Sequence, residues 1–120
     1  MTAVMSFDEL LKLAERKPAI AYNVKAWGGR KVFIRDPSSA DVDEWRVYCA
    51  RHKDQSVPFS AKLCQIMLCD DQGERIVPQE DDALQALADG DAKAIDEIAA
   101  FCLPLVNGGT NDEIEEIQKN

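Results

Sequence analysis

No stretch of this chain stays apolar long enough to cross a bilayer; the longest apolar runs are interrupted by Lys, Gln or Asp. The opening Met-Thr-Ala-Val-Met-Ser-Phe-Asp-Glu lacks the basic start and continuous apolar block of a secretory leader. Together these predict a cytoplasmic protein without a membrane partner. Histidine is almost missing, with His52 alone, so every acid–base or nucleophilic constellation would have to share that one ring. Cys49, Cys64, Cys69 and Cys102 form no Cys-x-x-Cys pair, whereas a structural zinc site needs four convergent ligands, usually delivered in close pairs. Each sits among apolar residues, the setting of reduced core thiols. Gly28-Gly29 lacks the Gly-x-Gly-x-x-Gly spacing and following helix of a phosphate cradle. Asp70-Asp71-Gln72-Gly73 stops short of a calcium loop, and a turn explains that acidic pair as a helix start explains Asp81-Asp82. These absences predict no enzyme, no metal and no cofactor. A small metal or redox protein built on Cys49, His52, Cys64 and Cys69 is the chemical alternative.

Basic residues are also scarce in the second half. Residues 1–53 carry ten Lys/Arg against seven Asp/Glu, a balance of +3, while residues 54–120 carry four against fifteen, a balance of −11. Acidity so placed repels phosphate backbones and argues against nucleic acid. It suits a basic or amphipathic protein partner, or simply solvated helix faces. What remains is an ordinary globular composition, 46% hydrophobic and 30% charged in 120 residues, enough for one modest core.

The punctuation along the chain predicts its elements. Ser6-Phe7-Asp8-Glu9 is a capping box opening a short amphipathic helix with Leu10, Leu11, Leu13 and Ala14, stopped by Lys17-Pro18. Residues 20–27 and 30–35 flank Gly28-Gly29 as a β-hairpin with a two-glycine turn, Val32 and Ile34 on one face and Lys31, Phe33 and Arg35 on the other. Ser38 and Asp41 cap a helix whose Val42, Trp45, Cys49 and His52 share a face, with Tyr48 beside them. Asp41, Asp43 and Glu44 in its first turn and Arg51 and Lys53 in its last match the helix dipole.

Pro58 opens a helix bearing Phe59, Leu63, Ile66 and Met67. Residues 63–69 and 74–77 can alternatively pair as a second hairpin, and Gly73 takes a left-handed conformation in either case. Residues 79–89, with Leu84 and Leu87, form a helix stopped at Gly90. Asp91 caps the last helix, residues 91–103, whose stripe is Ile95, Ile98, Ala99, Cys102 and Leu105 or Val106. Pro104 must end or kink it, and Asn107-Gly108-Gly109 is its exit. The expected fold is α+β, a predominantly α-helical small domain over residues 1–109 with an N-terminal β-hairpin packed on a helical bundle. Residues 110–120 are expected to be a flexible acidic tail. Aromatics at helical spacing belong first to a core, but an exposed Trp or Tyr anchors interfaces. The partner-facing candidates are therefore Asp96 and Glu97 on the last helix with Phe101, and Trp45 and Tyr48.

The order Val32-Phe33-Ile34-Arg35, Ser38-Ser39-Ala40-Asp41 to Trp45, Cys69-Asp70-Asp71-Gln72-Gly73-Glu74-Arg75-Ile76-Val77, then Ile98, Leu103 and Leu105-Val106-Asn107-Gly108 resembles the tail assembly chaperone family of long-tailed bacteriophages and prophages, the lambdoid G-like group. The resemblance spans roughly residues 20–108 and transfers no binding residue. It implies a protein of the bacterial host cytoplasm that is left out of the mature virion. Its role would be to bind the tape-measure protein, keep it soluble, and help recruit tail-tube (major tail) subunits, in part through a frameshifted longer product. Gln118-Lys119-Asn120 permits a slippery A-AAA-AAC codon run for such a −1 slip. Self-association belongs to the same picture, many copies covering one long partner. A generic bacterial or phage adaptor or inhibitor module is the alternative of the same class.

Overall fold

A computed structural model describes residues 4–107. Five α-helices and a three-stranded antiparallel sheet are built from them, the α+β arrangement expected, with a hairpin against helices. The expected tail, residues 110–120, and the glycines of the Asn107-Gly108-Gly109 exit lie outside the described residues.

The hairpin joins β1 (Ile20–Val24) to β2 (Arg30–Ile34), with Ile20 opposite Ile34 and Val24 opposite Arg30. Val24 and Ile34 are fully buried while Ala21, Asn23 and Lys31 face water, the alternation a one-sided ribbon requires. The expected two-glycine turn is wrong in one respect. β1 stops at Val24, and Lys25–Trp27 forms a 3₁₀ turn before Gly28 and Gly29, at φ 67° and 86°. The physical reason is tertiary: the Lys25 and Ala26 backbone N–H groups donate to the Glu97 carboxylate at 2.7 and 2.9 Å, so they leave the ladder. Both glycines still supply the positive φ that closes the loop.

Helix α2 (Ser39–Arg51) begins as its sequence dictates. The Asp41 N–H donates to the Ser38 hydroxyl and the Ser38 N–H to the Asp41 carboxylate, a reciprocal box with both bonds at 3.1 Å. Lys53 falls beyond the helix, whose last-turn base is Arg51. Helix α3 (Phe59–Met67) and strand β3 (Leu68–Cys69) divide the ambiguous region between them. The chain is helical to Met67, then two residues pair with β2, Phe33 opposite Cys69 and Ile34 opposite Leu68. The Asp70–Gly73 turn returns it to a bridge between Cys69 and Arg75, with Gly73 at φ 84°.

Helices α4 (Asp81–Ala88) and α5 (Ala92–Asn107) close the domain. α5 runs on through Pro104, so of the two outcomes expected there, an end or a kink, the end is excluded. Pro104 deprives the Ala100 carbonyl of its helical donor, and Ala100 is exposed, so water can take that place. The core lies where α3 and α5 meet the sheet, with Leu63, Ile66 and Met67 facing Ile95, Ile98, Cys102 and Val106. Helix α1 (Phe7–Leu13) contributes no buried residue to it.

Candidate partner-binding groove

Helix α5 presents three faces. Ile95, Ile98, Cys102 and Val106 enter the core. Glu97 and Phe101, four residues apart, turn toward β1. There the Tyr22 hydroxyl donates to Glu97 at 2.7 Å, and the Tyr22 and Phe101 rings stack with centroids 4.5 Å apart. Hydrogen bonds from Tyr22, Lys25 and Ala26 hold the Glu97 carboxyl below its usual range, and the Glu97 carboxylate in turn raises the Tyr22 phenol. Glu97 and Phe101 are therefore engaged internally, as clamps of the hairpin onto α5.

Asp96, Ala99, Ala100 and Leu103 form the third face, at the i, i+3, i+4 and i+7 spacing of one stripe. With Trp45, Phe59 and Leu63 they line a groove of ≈ 240 Å³ between α5, α2 and α3. The two alanines keep α5 low there, with half-buried Leu103 and Phe59 beside them and the exposed Asp96 at the edge. Past Phe59 and Asp96 the depression continues over Pro58, Leu87 and Ile95 for a further ≈ 360 Å³. Trp45 is only 7% exposed, so it forms the groove's floor, not a protruding anchor.

Tyr48 lies beside the groove. Trp45, Tyr48 and Phe59 form a cluster with centroids 5.7–6.4 Å apart, Phe59 edge-on to both. The Lys62 ammonium sits 5.3 Å from the Tyr48 ring centre, and the His52 ring lies tilted against Tyr48 with centroids 4.5 Å apart. Of the five expected partner residues the structure thus brings Trp45 and Asp96 into one groove, sets Tyr48 next to them, and removes Glu97 and Phe101 to another face. Phe59, Leu63, Ala99 and Leu103 read in sequence as core or motif positions, not as partner-facing ones. The 96/99/100/103 stripe could have been found there, but alanines read as helix formers and not as a gap.

A second polar centre surrounds Asp41, which is 3% exposed. Arg35 donates to it from Nε at 3.1 Å and Nη2 at 3.3 Å, Arg75 from Nη2 at 2.8 Å, and Arg75 also reaches Glu44 at 3.1 Å. Arg35 Nη1 donates to the Gly73 carbonyl at 3.2 Å. Burial raises the Asp41 carboxyl, but the Ser38 N–H and the two guanidinium groups outweigh it and hold it below the usual range. The strand end, the helix cap and the 70–75 turn, three separate marks in sequence, are one ionic joint in space. Its role is structural.

The four cysteines are free. Burial pushes the Cys64 thiol up to about 12, and raises Cys102 as well. Thiols so held carry almost no thiolate at neutral pH and are poorly prepared to attack a substrate. Among the described residues no group of three His, Cys, Asp or Glu side chains could hold a metal ion, and no helix is long and apolar enough to cross a membrane. Comparisons with protein-family models, curated proteins and solved structures find no match to this chain.

Proposed function

We propose that this chain is a non-catalytic tail assembly chaperone of a phage or prophage, which covers apolar helical stripes of the tape-measure protein in the host cytoplasm. By keeping that protein soluble it would let tail-tube subunits gather around it. The observation that carries this reading is the groove lined by the buried Trp45 with Phe59, Leu63 and Leu103, and by the exposed Asp96. An apolar trough among helices receives the apolar face of a further helix, and the acidic Asp96 beside it favours basic residues flanking that face. Each such contact is small, so the function would rest on many copies along one long partner. The order of sequence marks from Val32 to Gly108 supports the choice of partner.

Co-expression with a tape-measure reading frame tests the proposal. A soluble complex holding several copies of this chain per partner is expected, whereas a partner that stays aggregated overturns it. The same groove would serve an adaptor or inhibitor taking one helix from one partner; a strict one-to-one complex would favour that reading.

A further inference from the structure

Strand β1 stands at the edge of the sheet, and the register fixes which of its backbone groups face outward. The Arg35 N–H donates to the Met67 carbonyl at 2.9 Å and Phe33 lies opposite Cys69, so the odd-numbered residues of β2 bond toward β3. Its even-numbered residues therefore bond toward β1, where Ile34, Val32 and Arg30 meet Ile20, Tyr22 and Val24. That leaves the N–H and C=O of Ala21 and Asn23 on the open side, and among the described residues they meet no partner. Lys25, next in the same alternation, shows what such a donor requires, because its N–H is taken by the Glu97 carboxylate. Edge strands are normally guarded by a charge, a proline, a bulge or a cover. Ile20-Ala21-Tyr22-Asn23-Val24 holds neither charge nor proline, and its pairing with β2 runs without a bulge, which leaves a cover.

We propose that the cover is this chain's own segment 112–116, added as a further strand parallel to β1. Three observations select that occupant. The first is position. Glu97 meets Lys25 and Phe101 meets Tyr22, so α5 runs antiparallel to β1 and its last turn, ending at Asn107, lies toward the Ile20 end. A chain that turns back there runs alongside β1 in the parallel direction, and Gly108-Gly109 supplies the turn. Residues 108–111 can span about 13 Å, enough for the step from a helix to a neighbouring strand. The second is charge. Residues 16–35 hold six bases and no acid in a chain of net charge −8, whereas residues 110–120 hold four acids against one base. Arg16, Lys17, Lys25, Arg30 and Lys31 are exposed and make no ion pair among the described residues. The third is pattern. With Glu113 beside Ala21 and Glu115 beside Asn23, both acids fall on the sheet face that carries Lys31, the residue opposite Asn23. Ile114 then falls beside Tyr22, on the side of the Phe101 ring. A nucleic acid could answer the bases but not the N–H and C=O groups of the strand, and a second copy of β1 would set like charges together. Glutamate is a poor strand former, but the tether makes the pairing intramolecular, so modest affinity suffices. The pairing is independent of what the α3–α5 groove binds.

Amide hydrogen exchange of the full chain, read residue by residue by NMR, tests this. In the wild type the Ala21 and Asn23 amides are expected to be protected as those of Tyr22 and Val24 are, independently of protein concentration. Ile114→Pro removes the N–H that would bond the Ala21 carbonyl and should speed exchange at Ala21 and Asn23 at least about tenfold. Tyr22 and Val24, held by β2, should keep their protection and report an intact hairpin. Glu113→Lys with Glu115→Lys should act in the same direction as Ile114→Pro. Unprotected Ala21 and Asn23 in the wild type, or protection that survives either variant, overturns the proposal. Protection that appears only as concentration rises would give the edge to a second copy. Protection that appears only on adding a separate peptide of alternating Glu and Val would give it to a partner chain, and either result overturns the intramolecular pairing.

Discussion

The Tyr22 hydroxyl donates to the Glu97 carboxylate at 2.7 Å, joining β1 to α5 across 75 residues of chain. Asp96, the next residue back, makes no such bond and stands exposed on the groove face. Adjacent acids on one helix therefore have opposite roles, and single substitutions should separate them. Glu97→Lys removes the acceptor shared by Tyr22, Lys25 and Ala26 and is expected to lower the melting temperature by several degrees. Asp96→Lys should melt as the wild type does but weaken capture of a tape-measure fragment by about tenfold, a difference that shrinks at high salt. Differential scanning fluorimetry and pull-down on the two variants check this; equal melts, or unaltered capture by Asp96→Lys, would contradict it.

Arg75 and Arg35 meet on Asp41, and the acid limb of the stability profile should report it. The folded carboxyl titrates below its unfolded value of about 3.9, so its stabilisation is fully present above about pH 4 and is lost as pH falls through the lower folded value. Asp41→Asn keeps the shape but leaves Arg35 without its counter-charge and Arg75 with Glu44 alone, and should cost about 3 kcal/mol at neutral pH. The gap between variant and wild type should narrow below pH 4. Urea melts at pH 7, 4 and 3 measure it; a gap independent of pH would show that the carboxylate charge contributes nothing.

Periodicity and punctuation were sufficient for the helices that carry their own caps. Ser38 with Asp41 and the Ile95, Ile98, Cys102 stripe are local patterns, and the structure realises both. What sequence reading missed depends on distant groups. β1 ends early because Glu97 captures the Lys25 and Ala26 N–H groups. Asp41 reads as a solvated dipole acid until Arg75, remote in sequence, arrives beside it. Gln65, lying in a helix of apolar neighbours, looks misplaced. It is 1% exposed because its side chain donates to the Pro78 and Glu80 carbonyls at 3.0 Å and so fastens the segment before α4. The groove was half legible: Trp45 and Asp96 were singled out, but a hollow made by Ala99 and Ala100 is an absence of volume and leaves no periodic signal.

Thiol chemistry should follow burial. Cys49 is half-buried on α2, whereas Cys64, Cys69 and Cys102 are at most 2% exposed. Under native conditions an alkylating reagent is expected to label Cys49 first. Cys64 and Cys102 should react more than about a thousandfold more slowly, through global opening, and at full rate in denaturant. Peptide mass spectrometry over a labelling time course reads the order. Early modification of Cys64 or Cys102 would mean that the α3–α5 core opens far more readily than its close contacts allow.

Ala100 offers the cleanest blockade of the groove. It lies on the floor between Asp96 and Leu103, is exposed, and sits on a helix that already tolerates the loss of its carbonyl's partner to Pro104. Ala100→Trp projects a large side chain into the space of ≈ 240 Å³ without displacing a core residue. Trp45→Ala is a poor substitute, since truncating a buried tryptophan costs about 3–5 kcal/mol and would confound binding with unfolding. Capture of the tape-measure fragment by Ala100→Trp should fall at least tenfold (about 1.4 kcal/mol), with the melting temperature and helical circular dichroism held at wild-type values. Capture that survives a filled groove, in a protein shown to be folded, would place the partner's helix on another surface.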